Sequence, residues 1–214
     1  SYEAAEGNDW LDRWSRFNKH FGRFVRDTIG VLLLAFALMI ALPNHLVLAH
    51  NSTAAGQWLK KELERTELYG KILGIIGCGR IGNQVAKRAH VFGMTVFGFD
   101  THPVPLDHIN VHSSLDEILP ICDYFSLHLP FNDSTAGLLN KNVIAKMKDG
   151  VYIVNTGRGK TVVEADMVQA LESGKIAGYA TDVYYSDPPE NSPLLTAPNV
   201  LLTPHIGASS KENL

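Results

Sequence analysis

The stretch "ILGIIGCGRIGNQVAKRAHVFGMTVFGFD" (72–100) decides how the rest of the chain is read. Its first five residues, Ile72–Ile76, are apolar, largely β-branched and bounded by glycine, the pattern of a short buried strand. Residues 80–93 then place Ile81, Val85, Ala89 and Phe92 at helical spacing, with Gly93 as a stop. "TVFGF" (95–99) returns to strand character. The joint "GCGRIG" (77–82) is G-x-G-x-x-G, and it lies between a strand and a helix, the context in which that spacing carries meaning. Gly77 permits the tight turn, Gly79 lets a pyrophosphate approach the backbone, and Gly82 lets helix and strand pack closely. The amides of Arg80 and Ile81 then face phosphates at the positive end of the helix. Asp100 closes the second strand. A carboxylate there accepts both ribose hydroxyls and repels a 2′-phosphate, so the expected ligand is NAD rather than NADP.

The same alternation continues downstream. "YFSLHL" (124–129), "VYIVN" (151–155), "IAGYATDV" (176–183) and "NVLLT" (199–203) read as strands, with helical stretches near 141–147 and 164–173. "SLDEIL" (114–119) opens with an S-x-x-E capping box, which predicts a further helix. Short apolar strands alternating with helices imply an α/β fold, a Rossmann-type doubly wound parallel sheet covered on both faces.

Composition narrows the function classes. With 214 residues, 45% of them apolar, a net charge of −3 and no basic cluster, the chain is globular and a poor partner for nucleic acid. Cys78 and Cys122 belong to no CxxC pair, which argues against a zinc site and for a reducing compartment. Neither a metal site nor an export signal is expected, and the cytoplasm is the expected location.

The first fifty residues differ from the rest and are expected to form a helical N-terminal segment ahead of a 51–214 nucleotide-binding domain. Residues 10–27 mix aromatics and charges at roughly helical spacing, and 29–49 are nearly uncharged. The clean apolar run Val31–Leu42 is shorter than the ~20 residues a membrane span needs, and Pro43 breaks it off from the next apolar stretch. A buried helix over 28–42, with Thr28 as N-cap and Pro43 as stop, is therefore preferred to a span, although Arg23 and Arg26 just before it keep membrane attachment in view.

Taken together, "ELYGKILGIIGCGRIGNQVAKRAHVFGMTVFGFD" (67–100), "HLP" (128–130), "STAGLLN" (134–140), "VNTGRGKTVVE" (154–164), "GYATDVYYSDPP" (178–189) and "LLTPHIGASS" (201–210) resemble the NAD-binding domain of the D-isomer-specific 2-hydroxyacid dehydrogenases. That resemblance implies hydride transfer between NAD and a small 2-hydroxy or 2-keto acid. It implies that Arg158 forks the substrate carboxylate and polarises the carbonyl, and that His205 exchanges the hydroxyl proton. Asp187 takes the place of the acid that orients the histidine. Asp182 matches the residue holding the nicotinamide amide, with the Thr156 backbone facing it. His128 and Pro130 resemble the adenine-pocket wall, Thr135 matches a residue near the pyrophosphate, and Gly207 belongs to the cofactor-binding set.

The resemblance has departures. Asp187 stands where most members have Glu, and one fewer methylene could lengthen or tilt the bond to His205; Glu190 lies beyond Pro188-Pro189 and is the weaker candidate. Gly157 and Lys160 replace commoner small residues, and Lys160 is read as a solvated loop lysine. The family's first lobe has no counterpart in residues 1–27, so the chain is expected to be mainly a cofactor domain. Residues 28–50 correspond to the interdomain helix that builds the family dimer, with Gly30-Val31 in place of its Ala-Glu pair. A homodimer is expected. The alternative reading is a non-catalytic NAD(H)-binding module or a membrane- or complex-attached subunit.

Overall fold

In the computed structural model, which describes residues 28–211, two helices precede the sheet: α1 (Thr28–Ala41) and α2 (Leu46–Ala54). Strands and helices then alternate as β1 (Ile72–Ile76), α3 (Arg80–Val91), β2 (Thr95–Phe99), β3 (Asn110–His112) and β4 (Tyr124–Leu127). They continue as α4 (Lys141–Lys146), β5 (Val151–Asn155), α5 (Glu164–Glu172), β6 (Ile176–Thr181) and β7 (Val200–Leu202). One seven-stranded sheet results, in the order β3-β2-β1-β4-β5-β6-β7, and every neighbouring pair is parallel. The winding direction reverses between β1 and β4, and the carboxyl ends of strands at such a switch point are where open α/β sheets bind ligands.

Register makes that edge flush. His112, Phe99, Ile76, Leu127, Asn155, Thr181 and Leu202 pair in one continuous row across the sheet. Each is the last residue of its strand.

Side chains alternate between the two faces, as the strand period of two requires. Leu73, Ile75, Tyr124, Val154 and Ala180 join one core cluster with Leu32, Ala35 and Met39 of α1 and Val85, Ala86 and Ala89 of α3. Ile76, Phe125, Leu127, Ile153 and Tyr179 join the other with Ile144 of α4 and Met167 and Leu171 of α5. The expected doubly wound sheet is what these residues build.

Several expectations need correction. The capping box does not form: Leu115–Glu117 is only a 3₁₀ turn, and the Ser114 side chain makes no cap hydrogen bond. Glu117 instead reaches back to His112 at 2.7 Å, which removes the carboxylate the box needs. Strand β3 carries no signal that the sequence patterns above register, and the expected 28–50 helix is broken at residues 42–45, so that α2 is a separate helix running to Ala54. The last two residues of "IAGYATDV" leave the strand, since β6 ends at Thr181. Thr28 is already helical rather than a cap, while the chain does leave the helix at Leu42–His45, around Pro43. The helical reading of residues 10–27 lies outside the described residues.

Helix α1 is covered by its own sheet. Leu32, Ala35, Leu38 and Met39 are at most 3% exposed. No single helix among the described residues is long and apolar enough to cross a membrane; α1 and α2 pass that test only together, and they are bent by 67°. If α1 is a core element, Met39→Ala should cost ~3 kcal/mol, the usual range for emptying a buried site. A urea midpoint unchanged from the wild type would show that this face is not buried.

Candidate cofactor and catalytic site

Because the strand ends are flush, the residues immediately after them form a second row: Asp100, Gly77, His128, Thr156, Asp182 and Thr203. The hydrogen-bond ladder extends into it through His128 N to Ile76 O, Asp182 N to Asn155 O and Thr203 N to Thr181 O. At a strand spacing of ~4.8 Å, Asp100 and Asp182 lie about 19 Å apart, room for a dinucleotide laid along the edge. Residues singled out from four separate stretches of sequence thus stand in one row.

The glycine turn has the shape its spacing implies. Gly77 has φ +96°, and a Cβ there would lie 2.9 Å from the His128 carbonyl carbon. A Cβ on Gly82 would lie 2.1 Å from Gly77 O, so α3 can dock on β1 only through a bare backbone. Around Gly79 the opposite holds: a Cβ would meet nothing within 4 Å. That open space faces the start of α3, whose first turn carries no acidic residue, leaving the positive end at Arg80 and Ile81 to an anion.

Asp100 flanks this cradle. Its Oδ2 accepts the Cys78 amide at 2.9 Å and its Oδ1 the His102 amide at 3.0 Å, which fixes the carboxylate beside the glycine turn with lone pairs remaining for a diol. Burial, with Asp100 nearby, pushes the Cys78 thiol up to about 12, so it stays protonated and unreactive.

Beyond the turn, burial lowers the His128 imidazole to about 4 and keeps it neutral at physiological pH. Its Nε2 lies 2.9 Å from Ser126 Oγ. His128 Nδ1 and Thr156 Oγ1 are buried and find no hydrogen-bond partner among the described residues, as befits groups awaiting a ligand. Thr135 is different. Its hydroxyl donates to Pro130 O at 2.7 Å and accepts the Asn132 amide at 2.9 Å, so it shapes the loop after β4. Pro130 is exposed at the lip of that loop. Lys160 is not simply solvated: its ammonium sits 5.7 Å from the Phe131 ring centroid, a cation–π contact between the loops after β4 and β5.

Arg158, Asp187 and His205 emerge from the adjacent strands β5, β6 and β7. His205 Nδ1 lies 2.5 Å from Asp187 Oδ2, so the shorter carboxylate makes the contact, and both side chains are about half exposed (52% and 49%). Arg158 is exposed on the neighbouring loop, its Nη1 donating to Gly157 O at 2.7 Å. Asn155, which no motif singles out, sets that loop: its Oδ1 accepts the Gly157 amide at 3.0 Å, and its Nδ2 donates to Arg158 O at 3.1 Å. Gly159 docks the loop against β6's continuation, where a Cβ would lie 2.2 Å from the Tyr184 carbonyl. The one signal for Asn155 is an Asx residue ending a strand two residues before Gly157.

These contacts separate two kinds of glycine. Gly79→Ala adds a methyl group to open space, so stability should stay within ~0.5 kcal/mol of the wild type, while NADH binding weakens at least tenfold by fluorescence titration. Gly82→Ala should cost about 1–3 kcal/mol through overpacking. Equal NADH affinity in Gly79→Ala and wild type would show that the open space is not the phosphate cradle.

The chain matches the family model "D-isomer specific 2-hydroxyacid dehydrogenase, NAD binding domain" over residues 36–207. It is 42% identical over 189 residues to D-3-phosphoglycerate dehydrogenase of Bacillus subtilis, covering 87% of this chain and 36% of that protein. It is 43% identical to hydroxypyruvate reductase of Thermotoga maritima, covering 86% and 61% respectively. Among solved structures it resembles a glyoxylate reductase from Paecilomyes thermophila with a TM-score of 0.82 and 38% identity, over 88% of this chain and 58% of that one. It therefore spans between about a third and two thirds of the length of these proteins. The glycine turn, the buried orphan atoms and these matches agree: the chain belongs to the D-isomer-specific 2-hydroxyacid dehydrogenases and comprises their NAD-binding domain.

Proposed function

We propose that this chain is the cofactor half of an NAD-dependent oxidoreductase that interconverts a D-2-hydroxy acid and its 2-keto acid. The observation that carries the reading is the His205–Asp187 pair, which stands at the same sheet edge as the glycine cradle. Gly77, Gly79, Gly82 and the amides of Arg80 and Ile81 would hold the pyrophosphate. Asp100 would hold the adenosine ribose, and His128 and Pro130 would wall the adenine. Thr156, Asp182 and Gly207 would border the nicotinamide, with Thr135 supporting the loop between. Bound NAD supplies the hydride acceptor or donor. His205 holds Asp187 through Nδ1, which leaves Nε2 to take the hydroxyl proton in oxidation and return it in reduction. Arg158 pairs with the substrate carboxylate once its guanidinium swings off Gly157 O.

Arg158 and His205 are both exposed in this chain, and near-attack geometry with water excluded calls for a second surface closing over them. The 214-residue polypeptide should therefore bind NADH more tightly than NADPH, with Asp100→Ala narrowing the difference. It should also oxidise NADH slowly with hydroxypyruvate, glyoxylate, pyruvate or 2-oxoglutarate. Equal or tighter NADPH binding would contradict the role of Asp100. A kcat near ~10 s⁻¹, ordinary for enzymes, that vanished in His205→Ala would show that no second surface is needed. Binding of NADH without any His205-dependent turnover, even with such a surface supplied, would favour the non-catalytic module.

The same reading extends to assembly and location. Helix α1 exposes Ile29 (46%) and Leu33 (63%) one turn apart, with Ala37 continuing the stripe on the face away from its own sheet. A second copy of the chain covering this stripe gives a homodimer. Two free, buried cysteines suit a cytoplasmic setting. Light scattering in plain buffer should return twice the chain mass, and Leu33→Glu should halve it; a monomeric wild type would contradict the dimer.

A further inference from the structure

Asp182 is 2% exposed, and both of its carboxylate oxygens accept hydrogen bonds from within the protein. Oδ1 accepts from Thr203 Oγ1 at 2.7 Å and from the Ile206 amide at 2.9 Å, and Oδ2 accepts the Gly207 amide at 2.8 Å. Those three donors bracket His205 on both sides. The histidine itself sits in left-handed backbone, φ +53°, a conformation that costs a non-glycine residue energy and persists only where surroundings over-determine it. A second tie comes from Tyr184, whose hydroxyl donates to Thr203 O at 2.8 Å. Gly207 closes the arrangement: a Cβ there would lie 3.1 Å from Asp182 Oδ2 and 3.2 Å from Val31 Cγ2 of α1.

We infer that Asp182, assisted by Tyr184, is the positioning residue for His205: it pins the Thr203–Gly207 turn so that the imidazole meets Asp187 through Nδ1. This rests on the proposed role of His205 in proton exchange. It gives Asp182 a task beyond contact with the cofactor, since three of its hydrogen bonds go to the turn that carries His205. Three hydrogen-bond donors aimed at one carboxylate set the turn, and the turn sets the ring. The ring in turn carries its proton on Nδ1 because Asp187 accepts there, which keeps the Nε2 lone pair facing outward.

The tautomer of His205 is therefore the readout, since a merely structural loss of stability would not move it. Long-range ¹⁵N–¹H spectra of the 214-residue chain, with His205 assigned by its absence in His205→Ala, should show neutral His205 mainly as the Nδ1–H form. Asp187→Ala should shift it towards the Nε2–H form. Asp182→Asn sets an amide donor against the remaining donors, and should carry the tautomer ratio at least halfway to the Asp187→Ala value. A wild-type ratio in Asp182→Asn, whatever its NADH affinity, would overturn the inference. Should Asp182→Asn fail to fold, Thr203→Val and Tyr184→Phe each remove one tie; a shift in either supports the inference, and no shift in both overturns it. These tautomer shifts in the variants, beside a wild-type chain that binds no NADH, would refute the proposed function and leave the positioning role standing.

Discussion

The site depends on one constraint, the in-register termination of parallel strands. Parallel pairing fixes every strand's direction, so all the carboxyl ends lie on one side of the sheet. The row from His112 to Leu202 then fixes where they stop. Had one strand slipped by a residue against its neighbours, its alternating side chains would have exchanged faces and its terminal group would have left the row. Buried apolar positions prevent such a slip. Ile75 and Ile76 point into opposite core clusters, and so do Tyr124 and Phe125, and Ile153 and Val154, so a one-residue shift would carry each into the wrong layer.

From that edge outward, control passes from burial to hydrogen bonding. Each loop is set by a polar side chain just at or beyond a strand end: Asp100 for the glycine turn, Asn155 for the Arg158 turn, Asp182 for the His205 turn. All three accept backbone amides with a side-chain oxygen. Such bonds exchange little free energy with water on average, but leaving a buried amide unmet costs about 1–3 kcal/mol. That penalty makes the loop conformations specific. The glycines do the complementary work, since Gly77, Gly82 and Gly159 let backbones approach where no side chain fits.

The glycine turn, the strand ends and the His205–Asp187 pair are legible in the sequence because each leaves a local signature: fixed glycine spacing, a β-branched run, a short motif. The elements that escape such reading are set by tertiary context. Ser114 and Glu117 have capping-box spacing, but His112 competes for the glutamate, and a pattern of four residues cannot report a partner two residues upstream of the box. Helix α2 follows a break at His45, which adopts left-handed backbone, φ 51°, and its apolar residues Leu46, Val47 and Leu48 are about half exposed, so no amphipathic period marks it off from the helical segment expected over 28–50. The hydrogen bonds by which Thr135 ties its loop are likewise made through space, with Pro130 and Asn132. The Asp182 turn is hidden for the same reason, since 21 to 25 residues separate the carboxylate from its donors.

The central claim is that one edge of one sheet is where the cofactor lies. Amide chemical-shift mapping of the ¹⁵N-labelled chain during titration with NAD⁺ tests it directly. The account predicts that the shifted amides fall in the row after the strand ends and its loops: Gly77–Gly82, Asp100–His102, His128, Thr156 and Asp182, with smaller changes at Ile206 and Gly207. Shifts centred instead on the opposite end of the sheet, around Tyr152, Ala177 and Asn199 beside α2, would contradict it.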